Sequence, residues 1–246
     1  MASEILFELD DISCKYGEQE VLRVEKLSLP KVPLTFILGA SGIGKSTLLE
    51  MLGLMSDTFH SRGGKFSYNG DQNLLDFWTW PSKKQALFRR NNFSFVFQQT
   101  NLIENFSIIE NLCIPLMIQG YSYDVAAKRV TETAQKMNLD EKLLNRRASA
   151  VSGGQLQRAA FTRALSTDFH VLFGDEPTGN LDIENSRTLM GLLKTNLQER
   201  HAAAVVVSHD VELAGEYADC IIRVRKDTVG DNPRGTLDQD CVNLTA

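Results

Sequence analysis

The sequence predicts an α/β protein with a mainly parallel sheet, an N-terminal antiparallel β subdomain and an inserted α-helical subdomain. Three observations carry this. Leu34 to Leu38, Phe93 to Phe97, Val171 to Phe173 and Ala204 to Val207 are short continuous apolar runs, the pattern of parallel strands covered by helices on both faces. Ile5, Phe7 and Leu9 alternate with Leu6 and Glu8, and Lys65 to Tyr68 runs into the hairpin signal Asn69-Gly70, so both read as antiparallel strands. Between the second and third apolar runs, roughly Ile108 to Leu165, Ala126, Val130, Ala134 and Met137 recur at helical spacing.

In chain order, the Leu34 to Leu38 strand delivers Gly39-Ala40-Ser41-Gly42-Ile43-Gly44-Lys45-Ser46-Thr47, and a helix is expected over Thr47 to Leu54. Gly39, Gly44, Lys45 and Ser46 fit G-x-x-x-x-G-K-[ST], in which glycines let successive backbone N–H groups turn inward around an anion at a helix start. Such a loop binds nucleotide phosphates. Lys45 then reaches the β- and γ-phosphates, and the Ser46 hydroxyl holds Mg²⁺. The stretch Asn73 to Asn92 carries Trp78 and Trp80, then Pro81 as a first helical residue and a surface helix over Lys83 to Arg90. Its tryptophans either anchor a partner or cap a core.

Further on, Val151-Ser152-Gly153-Gly154-Gln155 precedes a helix expected from near Leu156 through Arg163, which makes a second anion-binding helix start. The Val171 strand ends in Asp175-Glu176, two carboxylates at the strand edge where ligands sit in parallel α/β sheets. There Asp175 would hold Mg²⁺ and Glu176 would orient or deprotonate an attacking water. Ile183, Met190, Leu193 and Leu197 mark another amphipathic helix, and beyond Lys226 the chain turns polar, with Gly230, Pro233 and Gly235, and reads as loosely ordered.

At 246 residues the chain can bury a full core without disulfides or metals. Its longest apolar runs fall far short of the ~20 residues of a membrane span, and the N-terminus lacks a signal pattern, so the expectation is a chain that is neither secreted nor membrane-spanning. Cys14, Cys113, Cys220 and Cys241 show no C-x-x-C spacing, which points to a reducing cytosol and to packing roles. A formal charge of -5 with no basic block argues against broad nucleic-acid binding.

Ser152 to Gln155 together with Arg158 resembles the signature sequence of ATP-binding-cassette (ABC) ATPases, and the likeness covers nearly the whole chain. It implies a P-loop NTPase core and one ABC ATPase domain over 1–246. About 1–98 and 166–228 would form a RecA-like core with the antiparallel β subdomain, about 99–165 the helical subdomain, and about 229–246 a polar tail. In that family two copies pack head to tail, each ATP lying between one copy's glycine loop and the other's signature. The resemblance makes Gln98, in preference to Gln99, the glutamine that touches Mg²⁺ and the attacking water. It makes Asp182 part of the loop crossing the dimer interface, His209 the switch histidine at the γ-phosphate, and Tyr16, before Gly17, the aromatic that stacks on adenine. Val151, Leu156 and the Pro30 to Pro33 entry depart from the family pattern, but no catalytic group is missing, so an active ATPase is implied.

Glu176-Pro177-Thr178-Gly179-Asn180-Leu181-Asp182, and Phe97-Gln98-Gln99 followed by Asn101-Leu102-Ile103, are similar to the bacterial group serving lipoprotein release, macrolide efflux and cell division. That likeness implies a dimer on the cytoplasmic face of the cell membrane, driving an integral membrane permease-like subunit on a separate chain. A nutrient importer is the alternative, and a soluble non-transport ABC ATPase the second. In Asn101 to Ile118, the residues Leu102, Ile103, Phe106, Ile108 and Ile109 are candidates for a groove that receives the membrane partner, with ordinary packing as the competing reading.

Overall fold

The computed structural model describes residues 4–70, 72–229 and 232–238. In chain order the elements are β1 (Ile5–Tyr16), β2 (Gln19–Pro30), β3 (Leu34–Leu38), α1 (Lys45–Leu52), β4 (Phe59–Tyr68), β5 (Gln72–Asn73), α2 (Ser82–Asn92) and β6 (Phe93–Phe97). They continue through α3 (Ile108–Ile118), α4 (Tyr123–Lys136), α5 (Gly153–Ser166), β7 (Val171–Asp175), α6 (Ile183–Arg200), β8 (Ala203–Val207), α7 (Val211–Tyr217), β9 (Cys220–Val229) and β10 (Asn232–Asp238). The described residues pack as two compact units, one drawn from Met1–Arg89 and Ala203–Ala246, the other from Arg90–Ala202.

In the first unit the strands run β5-β4-β1-β2-β10-β9-β3-β8. β1 pairs antiparallel with β2 and β4, whereas β3 pairs parallel with β8 and β9. All five residues of β3 and all five of β8 are buried, which accounts for their unbroken apolar sequence. Helix α1 begins two residues before the expected Thr47 and stops at Leu52. Leu54, with φ 54°, closes it: the N–H groups of Leu54 and Met55 return to the carbonyls of Met51 and Glu50, a Schellman end with a buried leucine in place of glycine.

The loosely ordered tail expected beyond Lys226 is overturned over residues 232–238. β10 pairs parallel with β2 through Gly235 and Thr236 and antiparallel with β9 along its whole length. Ladder hydrogen bonds need no apolar side chain, and Arg234 is held by Glu20 at 2.7 Å and Asp227 at 3.3 Å, so a polar sequence conceals a strand. Gly230, Cys241 and residues 239–246 lie outside the described residues.

Trp78 and Trp80 are half-buried. Trp80 lies on Phe77 and Phe88, with ring centroids 5.0 and 5.7 Å away, and Lys84 sits 3.9 Å from the Trp80 ring, so the pair covers the buried Phe77. The helix after them starts at Ser82, and the Pro81 carbonyl accepts from Lys84 as its cap.

In the second unit β6 and β7 pair in parallel along all five residues, from Phe93 opposite Val171 to Phe97 opposite Asp175. Helices α3, α4 and α5 share a core of Ile108, Leu112, Leu116, Val130 and Ala159. Ile108 is therefore packing, as are the partly buried Leu102 and Ile109. Leu189, Met190, Leu193 and Leu197 form the buried face of α6, but Ile183, placed on that face by its spacing, is 64% exposed at the first helical position. α5 starts at Gly153, one turn earlier than expected.

Among the described residues Cys14, Cys113 and Cys220 are buried thiols outside any disulfide. Burial, reinforced by Glu20 and Glu50, pushes the Cys14 thiol up to about 12. Iodoacetamide followed by peptide mapping should modify these three only after unfolding. Labelling of Cys14 in the native protein at the unfolded rate would contradict the packing.

Candidate functional site

The first unit places the glycine loop at the carboxyl end of β3. Gly44 occupies the N-cap of α1 at φ 101°, offers no side chain to the helix, and no acidic residue lies in the first turn. α1 therefore opens without a side-chain cap and without an acid in its own first turn. Lys45 is 5% exposed, and its ammonium donates to the Ala40 carbonyl at 2.8 Å, closing the loop on itself. Ser46 is exposed beside it and Thr47 is buried. A glycine loop, a cation and an exposed hydroxyl on one helix start is the chemistry that holds a metal-bound polyphosphate.

β8 lies beside β3, with Ile37 opposite Val207 and the Ser208 N–H donating to Ile37 at 3.2 Å. The exposed His209 therefore emerges next to the strand end that feeds the glycine loop, and Asp210 caps α7. Tyr16 ends β1, is 49% exposed, and its hydroxyl donates to Glu50 of α1 at 3.3 Å, which leaves a ring face open. A cavity of about 250 Å³ adjoins the loop, lined by Val21, Ser41, Gly42, Ile43, Arg234 and Gly235 among others. Sequence reasoning missed the last two because their stretch reads as a loosely ordered tail.

The second unit brings together the remaining residues. Phe97 and Asp175 are the last paired residues of β6 and β7, so Gln98 and Glu176 leave adjacent strand ends. Glu176 is half-buried at φ 46°, a left-handed conformation that costs a non-glycine residue on the order of 1 kcal/mol or more. Its carbonyl accepts from the Gly179 N–H at 3.1 Å, and Asn180 donates to the Gln98 carbonyl at 3.2 Å. A Cβ on Gly179 would stand 3.1 Å from the Gln98 amide nitrogen, so the two segments touch. Gln99 is exposed and lines a neighbouring groove.

Asp182 caps α6, accepting from the Asn185 N–H at 2.8 Å and its amide at 2.7 Å, which hold its carboxyl below the usual range. Arg158 of α5 donates to Asn185 at 2.8 Å. Ser152 is the N-cap of α5, with Gly153 and Gly154 the first two helical residues and the Gln155 side chain accepting from the Ser152 N–H at 3.2 Å. Again no acid lies in the first turn.

The groove, about 540 Å³, is lined by Gln98, Gln99, Leu102, Glu104, Ser149 and Leu156 among others. Just beyond Leu102, Ile103 and Phe106 are 46% and 43% exposed. The buried Asn111 fixes this loop, accepting from the Ile103 N–H at 2.6 Å and donating to its carbonyl at 3.0 Å. Arg163 donates to the carbonyls of Thr100 and Asn101 at 2.8 and 2.9 Å.

A family model described as ABC transporter matches residues 22–179. The chain belongs to the ABC transporter family. It is 36% identical over 202 residues to a lipoprotein-releasing system ATP-binding protein, LolD, of Syntrophus aciditrophicus, covering 82% of this chain and 87% of that one. It is 34% identical over 211 residues to MJ1508, an uncharacterized ABC transporter ATP-binding protein of Methanocaldococcus jannaschii, covering 85% and 90%. The dimeric structure of MJ0796, a bacterial ABC transporter cassette, matches with a TM-score of 0.76 at 30% identity over 89% of this chain and 94% of that one. A post-hydrolysis state of MJ0796 bound to ADP and Pi gives 0.75 at 29%. The fold is that of an ABC ATPase and the chain is an ATPase of this family.

A Cβ at residue 235 would stand 2.1 Å from the Ile43 carbonyl oxygen, inside the glycine loop. Gly235→Ala should therefore displace the loop and raise the KM for ATP roughly tenfold, about 1.4 kcal/mol, with the far-ultraviolet circular dichroism unchanged. Steady-state turnover against ATP concentration checks this.

Proposed function

We propose that this chain is the ATP-hydrolysing subunit of a transporter of the mechanotransmission type, working as a head-to-tail dimer on the cytoplasmic face of the membrane with a separate permease-like chain. The observation that carries the reading is the exposed pair Ile103 and Phe106, held by Asn111 on the loop that follows Gln98, on a chain 36% identical to a lipoprotein-releasing ATPase. Such a loop offers a partner two apolar side chains four residues or more from a residue of the hydrolytic edge. Among the described residues no helix is long and apolar enough to cross a membrane, and this reading assigns that work to the permease-like chain.

In this reading Lys45 and the N–H groups of Gly39 to Thr47 bind the β- and γ-phosphates, and Tyr16 stacks on adenine. Ser46, Gln98 and Asp175 are hard oxygen donors suited to Mg²⁺, which neutralises charge on the phosphates. Glu176 accepts a proton as water attacks the γ-phosphorus and the bond to the β-γ bridging oxygen breaks, giving ADP and phosphate. His209 and Gln98 orient the γ-phosphate and the water. The Ser152 to Gln155 helix start of the second copy supplies further donors to the γ-phosphate, and Asp182 lies on the loop that meets that copy.

Glu176→Gln should lower kcat about 10²- to 10⁴-fold and accumulate an ATP-bound dimer by light scattering, and Lys45→Ala should abolish detectable turnover. A Glu176→Gln chain that stays monomeric at saturating ATP would count against the scheme. Because Leu102 packs into the helical core, Ile103→Glu and Phe106→Glu are the cleaner tests of coupling. They should leave basal turnover and thermal midpoint near wild type and prevent co-purification with the membrane chain in detergent.

A further inference from the structure

The amide of Gln157 has no role in the scheme so far, yet it is 1% exposed and lies one turn into α5. Its Nε2 donates to two carbonyls, Phe97 at 3.3 Å and Pro177 at 2.5 Å. Phe97 immediately precedes Gln98, and Pro177 immediately follows Glu176. β6 and β7 pair no further than Phe97 and Asp175, so this amide is a tie across the two strand ends just past their last register pair. Both hydrogens of a primary amide are needed for the fork, a demand that no apolar or carboxylate side chain of the same length meets. The backbone it restrains is the one that most needs restraint, since Glu176 sits in the left-handed region and holds that conformation only while its surroundings fix it. The tie also has a direction. Gln157 rides on the helix that starts with Ser152 to Gln155, so an axial shift of α5 pulls on the carbonyls flanking Gln98 and Glu176 together.

We propose that Gln157 is a positioning residue for hydrolysis, one that sets the register of Gln98 against Glu176 and links it to the signature end of α5. The proposal rests on the reading that Glu176 is the general base and Gln98 the water contact. Misplacing reacting groups by about 1 Å costs up to about a hundredfold in rate.

The test uses the full chain. Gln157→Met keeps length and volume but donates nothing; kcat should fall tenfold or more, with the KM for ATP and the thermal midpoint near wild type. Gln157→Glu should be equally slow at pH 8 and regain activity relative to wild type toward pH 6, as the buried carboxyl takes up a proton and can donate one hydrogen bond. Turnover of Gln157→Met within threefold of wild type would overturn the proposal, and so would a rise in KM alone. Loss of stability in both variants without recovery of Gln157→Glu at low pH would assign Gln157 to packing and likewise overturn it. Glu176→Gln serves as the control: if it hydrolyses at the wild-type rate, the reading of the base has failed, whereas an inert Glu176→Gln beside a fully active Gln157→Met isolates the failure to Gln157.

Discussion

What the proposed phosphate sites can hold depends on the electrostatics of two helix starts, those of α1 and α5, where small residues lead in and no acid stands in the first turn. The first N–H groups of any α-helix lack intrahelical partners, and proteins ordinarily satisfy them with a capping side chain or offset them with an acid in the first turn. α3, α4, α6 and α7 follow that rule, with caps at Ser107, Ser122, Asp182 and Asp210 and acids at Glu110, Asp124, Glu184 and Glu212. α1 breaks it with Gly44 at the cap and no acid, and α5 carries no acid in its first turn. α2 also has none, but lysines follow its start and no glycine loop precedes it. What separates the two candidate phosphate helices from the rest is therefore the combination of small residues at the entry with the absence of a competing negative charge.

Rigid packing holds these two helix starts in place. β3 is buried at every position and feeds the glycine loop directly, while Gly235 of β10 lies against the Ile43 carbonyl from the other side. A loop held between a central strand and a strand ladder has few ways to collapse, and Lys45 is left bonded to Ala40 within the loop. In the second unit the equivalent restraint comes from side-chain amides and guanidinium groups: Gln157 on Phe97 and Pro177, Arg163 on Thr100 and Asn101, Asn111 on Ile103. Because each buried donor left without an acceptor costs on the order of 1–3 kcal/mol, these forks resist small displacements of the segments they hold.

Most of this architecture was legible in the residues. Parallel strands announce themselves because they are buried on both faces, and Leu34 to Leu38 and Phe93 to Phe97 match β3 and β6 residue for residue. Gly44-Lys45-Ser46 and Asp175-Glu176 were legible because local backbone geometry and chemistry fix residue types at fixed spacing. β10 was not, since its partner β2 lies some two hundred residues away in the chain and its ladder with the neighbouring β9 is formed by a polar sequence. The helix starts failed by two residues for α1 and by one turn for α5, where the first helical residues are a lysine and a glycine that periodicity does not register. Ile183 failed for the complementary reason: it has the right spacing but stands ahead of the first turn that packs.

Long polar side chains on α5 were the least legible of all. Gln157, Arg158 and Arg163 look from sequence like the solvated face of an amphipathic helix, but Gln157 is fully buried and each of the three ends on a carbonyl or amide of another segment. α5 is thus apolar toward the α3 and α4 core and hydrogen-bonding toward the strand ends and the Asp182 loop. Rotation of a helix of that kind would break several of these bonds at once. The helix that starts at Ser152 to Gln155 is thus bonded to the segments flanking Gln98 and Glu176, to Asn185 and to Thr100-Asn101, so under the proposed function a phosphate at its start would bear on all of them through one element.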